Sequence, residues 1–529
     1  MSTLQKSAFQ ASLAGGRTLR TNRPFGLDTA AHYGSLLAII AIGAAIRAHY
    51  LSLPIKYDEA ATFLNYARQP LWGAISDYSY PNNHLLHTLC AHLSLKIFGN
   101  HDWALRLPAF ICGCSLVPAT YGLARMLSNR DAALIAAAMT AGSAKLVEYS
   151  VNARGYTLLV LLSLSMIALG LQLIRSGGAM IWAAFSGVAA LGYFTIPTML
   201  YIHAAVLLWM AVNRNLERVF LKKICISSLA TFSMTAILYL PAVLHSGLKA
   251  VLFNRFVRPL ALHDFFRQAP TLPALLWASW SAAIPGVLLA ALLTGFVIAI
   301  LREKDVFTLR FSLAMSFTIA VIGLLVAQRV VPPSRVFLFG LPIGAIYSSA
   351  GLIYLLTRGW SRRLSYVVPV AAVLVAAWMG LAVVVTGFVF ASEETGSFQD
   401  AAEVLRYLNG AAAPDDLVLV VGPVDQPFEY YMQTGALAWK HERPQKASAR
   451  LFIVLRDHHG PIGSQEDQPV TLGRVSRFYR APSDPKLTFS SAFTSVYVAQ
   501  GATVDRGFCD AFCFHRDQVT RGSTASQQK

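Results

Sequence analysis

Four residues that follow the first apolar run carry the most chemistry per position. Lys56, Tyr57, Asp58 and Glu59 come directly after Ala31–Leu51, and Arg68 lies a few residues on. Adjacent acids are unusual here, because the 391 residues before Ser392 hold only 11 acids. A carboxylate beside basic groups at a membrane face could serve as a general base. The plainer alternative is a solvated first helical turn, where acids are favoured. If the segment is helical, neighbouring side chains point about 100° apart, so both carboxylates cannot reach one proton equally. We therefore expect one base, Asp58, and one helper, Glu59. A second set of charges also stands out. Arg47, Lys56, Lys145, Arg154, Arg329 and Arg335 fall near the outer ends of apolar runs, and Lys249, Arg255, Arg258 and Arg267 share the loop Gly247–Pro273. Singly, each base could snorkel to water or head groups. Together they suit an anion held at the interface, such as a lipid phosphate.

The elements that must position these groups are membrane spans. Of 529 residues 55% are hydrophobic and 13% charged, with a mean hydropathy of +0.50. That excludes a disordered or collagen-like chain and an ordinary cytosolic enzyme. Eleven apolar runs can be drawn: Ala31–Leu51, Ala104–Met126, Ala132–Tyr149, Tyr156–Ile174, Ala179–Ile196, Pro197–Val212, Ile224–Leu244, Leu275–Leu301, Phe307–Ala327, Val336–Leu356 and Val367–Ala391. The fifth and sixth share a turn at Pro197. The first is read as an uncleaved span, because no small-residue cleavage site follows it closely. His203 is the main polar residue inside a span and is read as an ordinary core histidine. The scarcity of buried charge argues for chemistry at the outer interface.

Charge sets the orientation. Before Ser392 there are 30 Lys+Arg against 11 Asp+Glu, a net of +19; from Ser392 on there are 14 against 16, a net of −2. Four basic loops fall on one side when the N-terminus is inside: Arg125 with Arg130, Arg214–Lys223, Arg302 with Lys304, and Arg358–Arg363. His84–Phe98 is apolar but short and carries three histidines and Lys96, so it is expected to lie on the outer surface as an amphipathic helix. The first outer loop then runs over residues 53–103. The basic balance reflects these loops and is not a nucleic-acid footprint. Residues 392–529 read as an extracytoplasmic domain. A helical stretch (Asp400–Leu408), a strand (Leu417–Val421), a second helix (Phe428–Gln433) and further strands (Leu451–Leu455, Thr494–Ala499) suggest a small α/β unit, followed by a disordered tail after Arg521. Of the six cysteines only Cys509 and Cys513 are placed to form a small disulfide, and two free thiols are an equal alternative. The expected fold is mainly α: a polytopic transmembrane bundle (residues 1–391, about 11 spans) with a large first outer loop and a small soluble α/β domain (392–529).

Ordered motifs carry a resemblance. K-Y-D-E-A-A-T (Lys56–Thr62) is followed by Y-P-N-N-H-L-L-H-T-L (Tyr80–Leu89), F-G-N-H-D-W-A-L-R-L-P (Phe98–Pro108), S-V-N-A-R-G-Y-T-L (Ser150–Leu158) and P-P-S-R-V-F-L-F-G-L-P (Pro332–Pro342). This series resembles the GT-C superfamily of membrane glycosyltransferases, in its protein-mannosyltransferase and aminoarabinose-transferase branch. The resemblance implies transfer of a sugar from a polyprenyl-phosphate carrier on the extracytoplasmic side of the plasma membrane, which for a bacterium is the inner membrane. It implies that Asp58 and Glu59 form the catalytic acidic motif. It also implies that Arg154 and Arg335, with Lys56, bind the donor phosphate. His84, Asn83, Glu148 and Tyr156 would position acceptor or sugar. Asn82–Asn83–His84 after Pro81 departs from the commoner proline-rich pattern of this loop.

The expected reaction is attack by an acceptor hydroxyl or amine, deprotonated by Asp58, at the anomeric carbon, with inversion. Acceptors could be lipid, glycan or protein. No dedicated metal motif is visible, although an acidic pair with a phosphate could hold a hard cation such as Mg²⁺. Two rivals remain at this level. A flippase of lipid-linked sugars would use midplane polar sites and internal repeats, and neither is seen. A non-catalytic scaffold would leave the acidic pair and the outer bases without a role.

Overall fold

The computed structural model describes residues 27–516 except 81, 254–257, 308–310, 361–363, 397, 414–415, 436–438, 441–449, 457–471 and 505–512. The N-terminal basic residues, Arg255, Cys509 with its proposed disulfide, and the tail after Arg521 lie outside the described residues.

Six helices are long and apolar enough to cross a bilayer: Thr29–His49, Asp102–Leu127, Tyr156–Arg175, Arg218–Ser246, Gly340–Arg358 and Val367–Val385. Shorter apolar helices cover Leu85–Phe98, Ala179–Thr195, Met199–Asn213, Gly286–Leu301 and Leu313–Gln328. Two expected runs are interrupted. Ala132–Tyr149 is a helix Arg130–Gly142 and a short helix Ala144–Ser150, meeting at Ser143 in extended geometry. Leu275–Leu301 is two helices, Thr271–Ser281 and Gly286–Leu301, separated where Ala283 takes a positive φ before Pro285. Hydropathy continues through both breaks, so a sliding window cannot register them.

The Arg130–Gly142 helix sits at the centre of the bundle. Ala132, Ala133, Ala136, Ala137, Ala138 and Ala141 are fully buried, and small side chains let neighbouring backbones approach closely. It packs against Leu27–His49, Asp102–Leu127, Gly340–Trp360 and Leu364–Val385. Arg47 pins this centre. Its guanidinium is fully buried and donates to the carbonyls of Gly43, Thr140 and Ala141 and to Ser150 Oγ. Arg47 is thus committed inside the protein and is not one of the bases open to an anion.

The loop over residues 53–103 is built from short helices, Tyr57–Thr62, a π-turn Phe63–Ala67, Leu71–Ser76 and Leu85–Phe98. The last of these does not expose a polar face. His87, Thr88, His92 and Ser94 are buried against protein, while Leu93, Ile97 and Phe98 are exposed. His92 Nδ1 is 2.9 Å from the Ala67 carbonyl and Ser94 Oγ donates to the Ala104 carbonyl. His87, Thr88, His92 and Ser94 therefore turn inward together with Leu85, Ala91 and Leu95, and Lys96 stays exposed.

The C-terminal region forms a six-stranded sheet from β1 (Leu417–Val420), β2 (Trp439–Lys440), β3 (Arg450–Arg456), β5 (Lys486–Ser490), β6 (Thr494–Gln500) and β8 (Cys513–Arg516), in the order β2-β8-β1-β3-β6-β5. A small second pair joins β4 (Tyr479–Arg480) to β7 (Thr503–Val504). β1 and β3 are parallel, Leu417 opposite Leu451, and the remaining pairs of the large sheet are antiparallel. The helix Asp425–Gln433, between β1 and β2, docks on the loop over residues 53–103. Tyr430 Oη donates to Asp102 Oδ1 (2.6 Å), Tyr431 Oη accepts the Ile55 N–H (2.9 Å), and the Tyr430 ring lies edge-on to Phe63.

Candidate active site

The acidic pair divides as the helical geometry requires. Lys56 caps the Tyr57–Thr62 helix, and Glu59, its third residue, reaches back to accept the Lys56 N–H at 3.0 Å. This is the carboxylate half of a capping box. The Glu59 side chain is fully buried and also accepts from Arg106 Nε (2.8 Å), Arg106 Nη2 (2.7 Å) and the Ala153 N–H (2.8 Å). Burial alone would push this carboxyl up; Arg106 and the two backbone N–H groups outweigh it and hold it below the usual carboxylate range. Arg106 is sealed in turn by the carbonyls of Leu51, Leu53 and Pro54. Glu59 has no oxygen left for a substrate. It cannot share a cation with Asp58, so the acidic pair does not form a chelate. Among the described residues no group of three or more His, Cys, Asp or Glu converges on a metal position.

Asp58 is free where Glu59 is engaged. Its side chain is 19% exposed, and Oδ2 stands 3.8 Å from Arg154 Nη2. Its backbone is held at both ends, the N–H by the Thr395 carbonyl (3.1 Å) and the carbonyl by Thr62 Oγ1 (2.8 Å). The consecutive residues Ala153 and Arg154 thus serve the consecutive acids Glu59 and Asp58.

Arg154 is aimed by its neighbours. Nη1 donates to the Asn82 carbonyl (2.9 Å) and to Asn82 Oδ1, while Nε is buried with no partner. His84 stands beside it, Nε2 lying 3.3 Å from Arg154 Nη2. The Gly155 N–H donates to His84 Nδ1 at 2.9 Å, so in the neutral ring the proton resides on Nε2. Burial, then Arg154, His87 and Arg335, keep the imidazole neutral far below its ordinary range. Two N–H donors therefore face one region with no acceptor between them, an arrangement that an anion would complete. The Tyr156 ring packs edge-on against His84 (5.2 Å between centroids) and Tyr149 (4.9 Å), with the Arg154 guanidinium 6.0 Å from its centre.

Arg335 enters from the short turn Ser334–Phe337. Nη1 donates to the Glu394 carbonyl oxygen (3.0 Å), and no carboxylate lies within ion-pair distance of it among the described residues. Burial opposes its charge, but Tyr156, Tyr149, Asp58 and Glu394 outweigh that and raise its pKa. Lys56 and Glu148 form the adjoining floor. Lys56 Nζ is 3.4 Å from Glu148 Oε1 and 3.1 Å from the Ser392 carbonyl, and Lys145 Nζ is 2.9 Å from Glu148 Oε2. Glu148 is thus a fixed counter-ion for two lysines.

Of the residues singled out in the sequence, Asp58, Arg154, His84, Tyr156 and Arg335 converge. Lys56 and Glu148 lie next to them, and Glu59 lies beneath. Asn83 does not join: Nδ2 donates to the carbonyls of Ala74 and Asp77, and Oδ1 accepts from Thr88 Oγ1. It braces the loop, and its neighbour Asn82 is the one that touches Arg154. Sequence reasoning also missed Arg106, Asn152, Glu394 and Thr395. Arg106 lay inside a quoted motif as a base entering a span. Glu394 lay in the first charged residues after the last span.

Comparison with known proteins agrees with this architecture. Residues 83–244 match the sequence profile of the dolichyl-phosphate-mannose-protein mannosyltransferase family. The structure is similar to ArnT from Cupriavidus metallidurans in its apo state (TM-score 0.57, 11% identity, 88% of this chain and 98% of that one). It is equally similar to that protein bound to undecaprenyl phosphate (TM-score 0.56, 12% identity, the same coverage). No curated protein matches by sequence. At these identities the structural likeness concerns fold. The chain has the GT-C fold of membrane glycosyltransferases, as the order of its motifs led us to expect, and is a multi-pass integral membrane protein, as its apolar runs did.

Proposed function

We propose that the protein transfers a sugar from a polyprenyl-phosphate donor to an extracytoplasmic acceptor, with inversion at the anomeric carbon. The observation that carries this reading is Asp58: a carboxylate without a hydrogen bond among the described residues, beside the partly unsatisfied Arg154 and in the field of Arg335. Asp58 takes the proton of an acceptor hydroxyl or amine. The acceptor atom bonds to the anomeric carbon as the bond from that carbon to the phosphate oxygen breaks, through an oxocarbenium-like transition state. The electron pair stays on the phosphate, which changes from a diester to a monoester and gains negative charge. Arg154, Arg335 and His84 Nε2–H are arranged to receive that charge, which favours the transition state over the bound donor. Arginine suits the task because its planar fork can pair with two phosphate oxygens. Lys56 contributes charge from the adjoining floor, and Tyr156 supplies an aromatic wall. The Cupriavidus protein with bound undecaprenyl phosphate supports a lipid-phosphate ligand for this fold.

In this reading the N-terminus is cytoplasmic and both the first loop and the C-terminal domain are extracytoplasmic, in a bacterial inner membrane. The four basic loops support that orientation. The test is transfer of labelled sugar from polyprenyl-phosphate donors by the purified full-length protein in lipid nanodiscs, without an energy source. A new glycosidic linkage supports the reading. Movement of intact lipid-linked sugar across the bilayer with no new linkage would replace it with a flippase.

A further inference from the structure

The segment 392–396 leads from the last membrane helix to the outer domain, and it crosses the site on the way. The Ser392 carbonyl accepts from Lys56 Nζ, and Ser392 Oγ donates to Glu148 Oε1 (2.5 Å). The Thr395 carbonyl accepts the Asp58 N–H, and Thr395 Oγ1 accepts from Asn152 Nδ2 (2.9 Å). Gly396 has φ +70°, and a Cβ there would stand 2.5 Å from Tyr57 Cβ, so only glycine lets the strap lie this close to the acidic motif. Between these anchors Glu394 puts its carboxylate on Lys145 Nζ and on Ser334 Oγ (3.2 Å), while its carbonyl holds Arg335.

Glu394 and Glu148 share Lys145 but differ in setting. Glu148 is sealed, with a side chain 0% exposed; Glu394 is 19% exposed and lines an open cavity of about 450 Å³. The cavity has a polar end, with Lys145, Ser334 and Ser392, and an apolar wall with Phe388 and Ala391. Of the charged groups only Lys145 and Glu394 line the cavity; with the groups behind them, Lys56, Arg154 and Arg335 and the acids Asp58 and Glu148, the site holds four bases and three acids, a formal balance of +1. A phosphate monoester brings up to two negative charges. With Glu394 displaced the balance becomes +2, which matches it.

We propose that Glu394 is an internal competing anion: it occupies the polar end of this cavity, gives way to the phosphate of a lipid ligand, and by returning to Lys145 and Ser334 drives the spent lipid phosphate out. This rests on the lipid-phosphate reading above. Glu394 acts through the bases it pairs with and is a positioning residue. Its charge opposes phosphate binding, so removing it tightens binding and slows release. A strap with only a structural role predicts the reverse, since loosening it would spread the bases and weaken binding.

The experiment measures undecaprenyl phosphate binding to the full-length protein in nanodiscs, together with the kcat and KM of transfer. Glu394→Gln and Glu394→Ala are expected to tighten the dissociation constant on the order of tenfold, the scale of one charge in a partly buried site. Under saturating donor kcat falls with KM as product leaves more slowly. Glu394→Asp, which keeps the charge, should bind close to wild type. Unchanged or weaker binding by both neutral variants, with wild-type thermal stability, overturns the proposal and leaves the lipid-phosphate reading intact. If wild type binds no undecaprenyl phosphate, both fall together.

Discussion

Asp58 and Glu59 are adjacent and chemically alike, yet their isosteric amides should fail in different ways. Glu59 receives four N–H donors on two oxygens: Arg106 Nε and Ala153 N–H on Oε1, Arg106 Nη2 and Lys56 N–H on Oε2. In Glu59→Gln one of those oxygens becomes an NH₂, so two donors meet a donor, and the buried Arg106 loses its counter-charge. Removing one partner of a buried ion pair costs about 3–5 kcal/mol, a large share of a typical folding stability of roughly 5–15 kcal/mol. Asp58→Asn disturbs only a 3.8 Å contact with Arg154 at a partly exposed site. At that distance it is not a hydrogen bond, and Arg154 keeps its bonds to Asn82 when Asp58 is neutralised, so the stability cost should be much smaller than at Glu59. Turnover should show the opposite order. General-base assistance is worth roughly 10²–10⁴ in rate, so Asp58→Asn should lose that factor at unchanged apparent Tm. Glu59→Gln should show a markedly lower apparent Tm, with residual activity in proportion to the folded fraction. The assay is thermal unfolding of both purified variants in matched detergent, followed by single-turnover transfer at saturating donor. A stable Glu59→Gln protein that is inactive, or a fully active Asp58→Asn protein, would refute the division of labour argued from these hydrogen bonds.

Four further outcomes are expected. Arg335→Ala should raise KM for the lipid donor and lower kcat, because in the proposed mechanism Arg335 receives the growing phosphate charge, and Arg335→Lys should recover part of each; donor titrations check this. Asp425 is buried at the start of the docking helix with Oδ1 unpartnered, and burial raises its carboxyl from the ordinary 3.8 to about 6. A raised acid contributes stability below its ordinary value and loses it as pH rises through 6. Asp425→Asn should therefore gain on wild type by about 2 kcal/mol between pH 4 and pH 8, read as a growing Tm difference. Glu59 has the opposite sign: its contribution is present above the ordinary carboxylate range and lost as pH falls below it, and it depends on Arg106, so the Tm deficit of Arg106→Met against wild type should be large at neutral pH and shrink as pH falls through that range. Membrane-impermeant thiol reagents should label a cysteine at position 58 from outside and one at position 216 only after permeabilisation; the reverse pattern would invert the orientation.

Much of the architecture was legible because it depends on local composition. Apolar length marks spans, and the switch to mixed composition after Ala391 marks the start of the C-terminal α/β region. The strands Leu417–Val420 and Arg450–Arg456 and the helices Ala401–Ala411 and Asp425–Gln433 follow their sequence patterns within a few residues. The breaks at Ser143 and at residues 282–285 were not legible, because hydropathy is blind to φ and ψ.

The candidate site divides along the same line. Residue type and spacing in the sequence pointed to the acidic pair and to a cluster of bases near the ends of the apolar runs, and the family resemblance drew Arg154 and Arg335 out of that cluster. Which acid would be buried and which left open could not be read locally. That depends on Arg106, 47 residues beyond Glu59, on the Ala153 N–H, 94 residues beyond it, and on Ser392, 336 residues beyond Lys56. Asn82 and Asn83 show the same limit: both are polar, adjacent and in the same loop, and only the packing of that loop against Arg154 chose Asn82. Sequence patterning determined which groups lie at the ends of the spans, because partitioning between lipid and water acts on each segment by itself. Tertiary structure alone decided their pairing, because hydrogen bonds and ion pairs form over a few ångströms between segments that the chain holds far apart.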